Sequence, residues 1–391
     1  MRVPVVSKEG KPLMPTKPSR ARRWLKEGKA VKRWSDTGLF YVQLTVDAGE
    51  FAQPIAIGVD PGKKFSGIGV QSAKETLFQG HLILPFDTVR KRMEQRRMMR
   101  RTRRARRINR KVAFKYRNHR QKRFDNRRKQ KVAPSIRANR QLEIRVVKEL
   151  SAIFPITGIV WEYVKADVDM TSGRKKARSG KGFSPVMVGQ RWAISELEKM
   201  APVVKLSGWK TANIRRKIGL IKTKNKAAQT PQSHAVDGVA LACSQFIQYR
   251  SFHTANSHGH YWVGNVEITA SPFKVIRRPP ICRRQLHLLQ CAKAGKRRSY
   301  GGTVTRHGFR KGDLVHAVMA GKEYIGYVSG DTARQVSVSD INWKRLGQFS
   351  AKKVSLIARN TGLLVSRGSS PTQPALLSLP GLKARGLSEV I

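Results

Sequence analysis

Acidic residues are scarce in this 391-residue chain: 24 Asp and Glu stand against 79 Lys and Arg, a formal net charge of +55. A compact body so lopsided repels itself unless a polyanion neutralises it, and one acidic patch on a protein partner would not suffice. Nucleic acid is therefore the expected partner. Cysteine is scarce as well. Cys243, Cys282 and Cys291 are too few and too widely spaced for a disulfide framework or a CxxC zinc knuckle, which fits a reducing cytoplasm. No run of about 18 apolar residues occurs, which argues against a membrane helix. The opening MRVPVVSKEGKPLMP has no apolar signal core. What is present is 40% hydrophobic content, enough for at least one core and room for two or three domains.

The chain divides by composition. A stiff KPLMPTKP segment precedes an expected short helix over residues 19–27 stopped by Gly28, and then a strand, LFYVQLTV, in which apolar and polar positions alternate. IAIGVDPGKKFSGIGV, residues 55–70, reads as a β-hairpin around Pro61-Gly62, with Ile55, Ile57 and Val59 on one parity. From Arg90 to Lys131 about half of the residues are Lys or Arg, and Glu94 and Asp125 are the only acids. With no Pro or Gly to interrupt it, propensity predicts a helix of about 30 residues, roughly 45 Å long. Its charge covers every face, so like-charge repulsion opposes it until phosphates pack around it. A disordered basic tail is the plainer reading of such a run, but it lies between two apolar strand regions. Arg outnumbers Lys there, which suits bidentate phosphate contacts and structured RNA.

Further on, residues 139–150 predict an amphipathic helix and ITGIVWEYV, 156–164, a buried strand interrupted by Glu162. TSGRKKARSGKGFSP reads as a polar loop, VMVGQRWAISELEKMAP as a helix, and SHAVDGVALACSQFI as a helix capped by Ser233. His234 and Asp237, three apart, fall on one face of that helix. After about residue 265, short strand-like runs between Gly turns predict a small β-rich domain, and SRGSSPTQPALLSLPGLKARGLSEVI a flexible tail.

Set in so basic a chain, the few acids at strand ends and helix starts look placed. Asp60 ends an apolar strand, Glu162 lies in a second one, and His234 with Asp237 opens a helix. Each has an ordinary explanation: a turn, an edge-strand charge, a polar helix start. Together they form a hard-oxygen set suited to two divalent ions about 4 Å apart, one activating water and one stabilising the leaving oxygen of a phosphodiester.

IGVDPGKKFSGIGV, GIVWEYV and HAVDGVALA resemble the three split segments of a RuvC-type, RNase H-like nuclease. The basic run resembles the arginine-rich bridge helix of RNA-guided DNA nucleases. GKPLMPTKPSRARRWLKEGKAV resembles the PLMP element of the transposon-encoded IscB and IsrB proteins, and RRQLHLLQCAKAGKRRSYGG with GFRKGDLV their C-terminal segment. IscB carries an HNH nuclease between its second and third RuvC segments, whereas no His or Cys lies between Glu162 and His234 here. The resemblance is thus to the IsrB family.

The resemblance implies an α/β fold: a split RNase H-like (RuvC) core, an inserted arginine-rich bridge helix, an N-terminal PLMP element and a small C-terminal β-rich domain. Its divisions are PLMP domain 1–50, RuvC segment I 51–84, bridge helix 85–131, segment II 132–170, segment III with connecting loop and helices 171–264, β-rich domain 265–365 and tail 366–391. Asp60, Glu162 and Asp237 become metal ligands, and His234 the group that orients or deprotonates the attacking water. Arg96, Arg97, Arg100, Arg101, Arg103, Arg104, Arg106, Arg107, Arg110 and Lys111 become RNA contacts. The implied activity is a magnesium-dependent endonuclease, with Mn2+ able to substitute. A guide (omega) RNA directs it to nick the non-target strand of duplex DNA beside a short flanking motif, whose reading is expected of the β-rich domain. The expected particle is a monomeric protein with its RNA, in a prokaryotic cytoplasm and on the nucleoid when bound to DNA. Two other classes remain: a guide-independent RuvC-like junction resolvase, which has no use for the arginine helix, and a non-catalytic RNA-binding protein, which leaves the acids unexplained. His253, His258 and His260 in SFHTANSHGHYW lack a cysteine or acid at ligand spacing and read as a polar or nucleic-acid-facing loop, while Trp161 and Tyr163 read as core.

Overall fold

Alternation along the first apolar run decides which way the chain faces. Residues 1–105, 111–116, 132–164, 185–280 and 304–366 are described by a computed structural model. Strands β1 (Val3–Val6) and β2 (Pro12–Thr16), helix α1 (Pro18–Lys26), and strands β3 (Ala30–Trp34) and β4 (Phe40–Leu44) make a four-stranded sheet in the order β2-β1-β4-β3. Its own core contains Val3, Val5, Leu13, Ala21, Val42 and Leu44. The expected helix stop is there: Gly28 has φ +71°, a conformation that costs glycine little.

The central sheet begins with a meander, β5 (Ile55–Asp60), β6 (Phe65–Ser72) and β7 (Thr76–Ile83), all antiparallel. Helix α2 (Phe86–Ala105) and helix α3 (Pro134–Ser151) follow. Then β8 (Gly158–Glu162) pairs parallel to β5. Helix α4 (Pro185–Leu197) leads to β9 (Val203–Leu206), parallel to β8. Helix α5 (Gly208–Lys217) and helix α6 (Val236–Cys243) come next. After a two-stranded ribbon of β10 (Gln248–His253) and β11 (His258–Val263), β12 (Phe273–Arg277) pairs parallel to β7.

Strands β13 (Leu314–Met319), β14 (Lys322–Asp331), β15 (Gln335–Ser339), β16 (Arg345–Ser350) and β17 (Val354–Ala358) form a separate antiparallel sheet around Val315, Val328, Val338 and Phe349. The chain then returns, as β18 (Leu364–Val365), to pair with β12. The central sheet therefore has seven strands in the order β18-β12-β7-β6-β5-β8-β9. Two strands from the region expected as a separate β-rich domain belong to it.

Helices cover both faces of this mixed α/β core. Ile55, Ile57, Val59 and Trp161 point to the face where α3 lays Leu142, Val146 and Leu150, an i, i+4, i+8 stripe. Truncating Leu142 or Leu150 to Ala costs about 2–5 kcal/mol. The alternate parity, Ala56, Gly58 and Asp60, faces α6, and there the packing is backbone to backbone. A Cβ at Gly58 would run into the Gly238 carbonyl, one at Gly67 into the His234 carbonyl, and one at Gly69 into the Val239 backbone. Glycine is what lets α6 lie this close.

Three expectations need correction. The basic run is not one uninterrupted helix: α2 covers Phe86–Ala105, and residues 111–116 hold a turn near Lys111 and a single 3-10 turn at Phe114–Tyr116, while residues 106–110 and 117–131 lie outside the described residues. With no apolar stripe to bury, nothing in its own sequence offsets like-charge repulsion. Ser233 does not cap the third-segment helix. It sits at non-helical φ −83°, ψ −114° in an irregular turn over Pro231–Ala235, and its hydroxyl is committed elsewhere. SFHTANSHGHYW is not a loop but most of the β10–β11 ribbon. The expected flexible tail, apart from Ser366, lies outside the described residues, as do Cys282 and Cys291. Among the described residues no helix is long and apolar enough to cross a membrane.

Candidate active site

Asp60 closes β5 on the α6 side of the sheet. It pairs with Gly67, which pairs in turn with His81, so Asp60, Gly67 and His81 share one rung across three strands. On the other side of β5 the last registered pair is Val59 with Trp161, which brings Glu162 to the next rung beside Asp60. Strand order and pleat alone thus draw two carboxylates together.

The turn bearing Asp60 is held from both ends. Ser66 Oγ donates to the Asp60 carbonyl at 2.7 Å. From α3, Asn139 Nδ2 donates to the Lys63 carbonyl at 2.9 Å and the Arg140 guanidinium to the Gly62 carbonyl at 2.8 Å. Arg140 also lies 5.4 Å over the Trp161 ring and 2.7 Å from Glu143, though that ion pair is not aligned as a hydrogen bond. Glu143 is fully buried, and burial pushes its carboxyl up to about 7, with Arg140 pulling the other way.

Helix α6 and the turn before it supply the rest. His234 Nδ1 is 3.1 Å from Asp60 Oδ2, and its buried Nε2 has no protein hydrogen-bond partner. Asp237, on the first turn of α6, has a side chain only 3% exposed. Arg215 of α5 reaches Oδ1 at 2.5 Å, and Lys222 bonds Oδ2. Even so its carboxyl is raised above the usual range, by burial first and by Asp60 second, which Lys222 and Arg215 offset only in part. Glu162 is pushed up to about 7 by burial and then by Asp60, with Asp237 adding to the effect and a Thr211 hydrogen bond opposing it. Two carboxylates raised by burial and by Asp60 beside them are, with Asp60, a set of hard oxygens in want of positive charge.

The structure therefore brings Asp60, Glu162, His234 and Asp237 to one place. Among the described residues, however, no three His, Cys, Asp or Glu side chains already stand as a closed metal-binding cluster, and at Asp237 the compensating charge is the pair of Lys222 and Arg215. The expected RNA contacts lie apart. Arg96, Arg97, Arg100 and Arg101 are exposed on α2 and Lys111 is exposed in the turn beyond it. Arg103 and Arg104 belong to α2, while Arg106, Arg107 and Arg110 lie outside the described residues.

Four residues of the site escaped sequence reasoning: Thr211, Arg215, Lys222 and His81. His81 is buried, and burial, with His234 second, lowers its pKa to about 4. Ser233 Oγ donates to the Thr230 carbonyl at 2.7 Å, so the 2.9 Å contact with His81 Nδ1 has the imidazole N–H donating to the hydroxyl. The His81 and His234 rings lie 5.7 Å apart, with Phe65 packed 5.2 Å and 5.8 Å from them. Period-2 parity marks His81 as sharing a face with Gln79 and Ile83, but the register of β5, β6 and β7 is what puts it on the rung of Asp60, two strands over.

Residues 3–182, somewhat less than half of the chain, match the family described as RRXRR protein. No curated protein matches the sequence. Among solved structures, the T. thermophilus RuvC in complex with Holliday junction substrate is similar at 12% identity and a TM-score of 0.26, over 49% of this chain and 90% of that one.

Proposed function

We propose that this chain is an RNA-guided DNA endonuclease that nicks the non-target strand of a duplex, with an RNase H-like core and an organisation of the IsrB type. The observation that carries the reading is the meeting of Asp60, Glu162 and Asp237 from two neighbouring strands and the helix packed over them, with His234 on Asp60. The strand order β7-β6-β5-β8-β9, antiparallel through β5 and parallel beyond it, supports the RNase H-like reading. So does the match over residues 3–182 to RRXRR proteins, a family of IscB/IsrB-type nucleases.

Asp60, Glu162 and Asp237 are the residues that would hold divalent cations, for which Mg2+ is the natural choice with carboxylate ligands. Bound there, such ions supply the charge neutralisation and Lewis acidity that phosphodiester hydrolysis needs. His234, held through Nδ1 by Asp60, offers Nε2 to orient a water or take its proton. Arg215 and Lys222 favour the ionised form of Asp237 and offset part of the cost of its burial. One nuclease centre cuts one strand, so the product is a nick. The exposed arginines of α2 are assigned to the guide RNA, and the five-stranded β13–β17 sheet to the DNA motif beside the target.

The test is a plasmid-relaxation assay with the protein and its co-purified RNA, sequenced to define the target. Supercoiled target plasmid should become nicked in Mg2+ and stay intact in EDTA or without the RNA. Asp60→Ala, Glu162→Ala and Asp237→Ala should each abolish nicking while leaving RNA-directed DNA binding largely intact. Cutting of four-way junctions without RNA would identify a junction resolvase instead, and target binding that is never followed by cleavage would point to a non-catalytic RNA-binding protein.

A further inference from the structure

Helix α5 has two sides with different fates. Thr211, Ile214 and Arg215 turn inward, towards Glu162, the α6 core and Asp237 respectively. Trp209, Asn213, Arg216 and Lys217, spaced i, i+4, i+7 and i+8, form the opposite stripe. Trp209 is 61% exposed even though its neighbour Gly208 lies against the Glu162 carboxylate. At the other end of the stripe, about 12 Å along the helix, stands the β10–β11 ribbon. Asn213, Arg216 and Lys217 line a cleft of about 400 Å³ with Tyr249 and Trp262 of that ribbon.

The ribbon turns the face that carries Tyr249 and Trp262 towards α5, while Phe252 and Tyr261 lie on its other face. Tyr249 pairs with Trp262, Ser251 with His260, and His253 with His258, which puts five aromatic or imidazole rings on one side. Trp262 packs into the α5–α6 core and anchors the ribbon. Tyr249 stacks on His260 at 4.9 Å with an interplanar angle of 11°, yet remains 49% exposed. Neither the ribbon nor α5 contains an acid, and they carry Arg250, Lys210, Arg215, Arg216 and Lys217. Flat exposed rings beside fixed cations, with no carboxylate to repel phosphate, are the chemistry that holds unpaired bases and their backbone. A duplex hides its base faces and could not use the rings.

We propose that the exposed stripe of α5 and the Tyr249 face of the ribbon form a stacking track for single-stranded DNA that leads the strand to be cut into the carboxylate site. Arg216 and Lys217 take the phosphates, while Tyr249 and Trp209 take bases at the two ends of the stripe. DNA is chosen over RNA because the same helix delivers Thr211 and Arg215 to the carboxylates, so this track is continuous with the site of cleavage. The inference rests on the nuclease reading for its direction, but the binding itself does not require cleavage.

The test uses the full chain with its co-purified RNA and measures binding of fluorescein-labelled oligothymidylate and of a duplex of equal length in 0.5 M NaCl, where charge contacts are screened and stacking is not. Tyr249→Ala and Trp209→Ala should each weaken oligothymidylate binding roughly tenfold, Tyr249→Phe should not, and duplex affinity should stay unchanged. Oligothymidylate carrying 5-iododeoxyuridine should photocrosslink to Tyr249. Unchanged affinity in both alanine variants, an equal loss for duplex, or a crosslink from Tyr249 to the bound RNA in place of DNA would overturn the proposal. A protein that shows the stacking signature but never nicks would sink the nuclease reading and support the track; one that nicks with no Tyr249 or Trp209 dependence of binding would sink the track alone.

Discussion

Asp60 and Glu162 sit on neighbouring strands with Asp237 above them, and this crowding has a pH signature. Because Glu162 is raised to about 7 by burial and by Asp60, it is largely protonated at pH 6 and ionised at pH 8. A cation-binding carboxylate must lose its proton first, so Mg2+ should bind more tightly as pH rises through 7. Isothermal titration with Mg2+ at pH 6 and pH 8 should show this gain, and Glu162→Gln should remove most of it. Glu143 gives the second residue-scale prediction. Its carboxyl titrates near 4.5 when unfolded and near 7 in the fold, so the stability it lends is fully present below 4.5 and is lost as pH rises through 7. Urea midpoints at pH 5 and pH 8 should therefore fall more for the parent than for Glu143→Gln. A parent-to-variant gap equal at both pH values would show that Glu143 ionises as freely in the fold as out of it.

Helix α6 is the element on which the site depends, since it carries Asp237 and follows directly on His234. Its height above the sheet is set by glycines: Gly58 and Gly69 are cross-strand partners, and both face the backbone of residues 238–242. A methyl group at Gly69 would have to displace Val239, and overpacking of this kind costs about 1–3 kcal/mol. Gly69→Ala should accordingly lower the melting temperature by several degrees and reduce nicking by more than the stability loss explains, because Asp237 moves away from Asp60. Full nicking with only a stability loss would mean that the spacing tolerates the shift. The alternation of IGVDPG and FSGIGV made this hairpin and its apolar face legible, whereas the purpose of the glycines on the other face needed the helix to be seen. The β10–β11 ribbon was missed for a different reason. Its histidines and polar residues carry no apolar alternation, and its pairing is stabilised by aromatic cross-strand contacts and by Trp262 docking on the core.

At the scale of the whole molecule, the β13–β17 sheet is an insertion into the central one. Arg277 of β12 pairs directly with Leu364 of β18, so the chain leaves and re-enters at adjacent points. Replacing residues 279–362 by a two-residue Asn-Gly turn should therefore leave a cooperatively melting protein, though a less stable one, because Tyr327 no longer bonds Val365. Calorimetry would check the folding. On the proposed function the shortened chain should still bind guide RNA through α2 but lose motif-dependent nicking of duplex DNA. Nicking with unchanged flanking-sequence preference would move motif reading elsewhere. A cut at residue 270 would be a poorer test, since it also removes β12 and β18 from the core sheet.

The sequence by itself determined the net charge that makes a polyanion the expected partner, and the identity of the isolated acids, because carboxylates at strand ends stand out where so few occur. It also determined the strands and helices whose apolar period was clean, β5 and α3 among them. Only the tertiary structure decided what depends on residues far apart in the chain. It brought His81 onto the rung of Asp60 and Arg215 and Lys222 onto Asp237. It also drew β12 and β18 into the central sheet. Each of these is a contact across tens to hundreds of residues, set by strand order and layer packing, and local periodicity carries no record of which distant strand will be the neighbour.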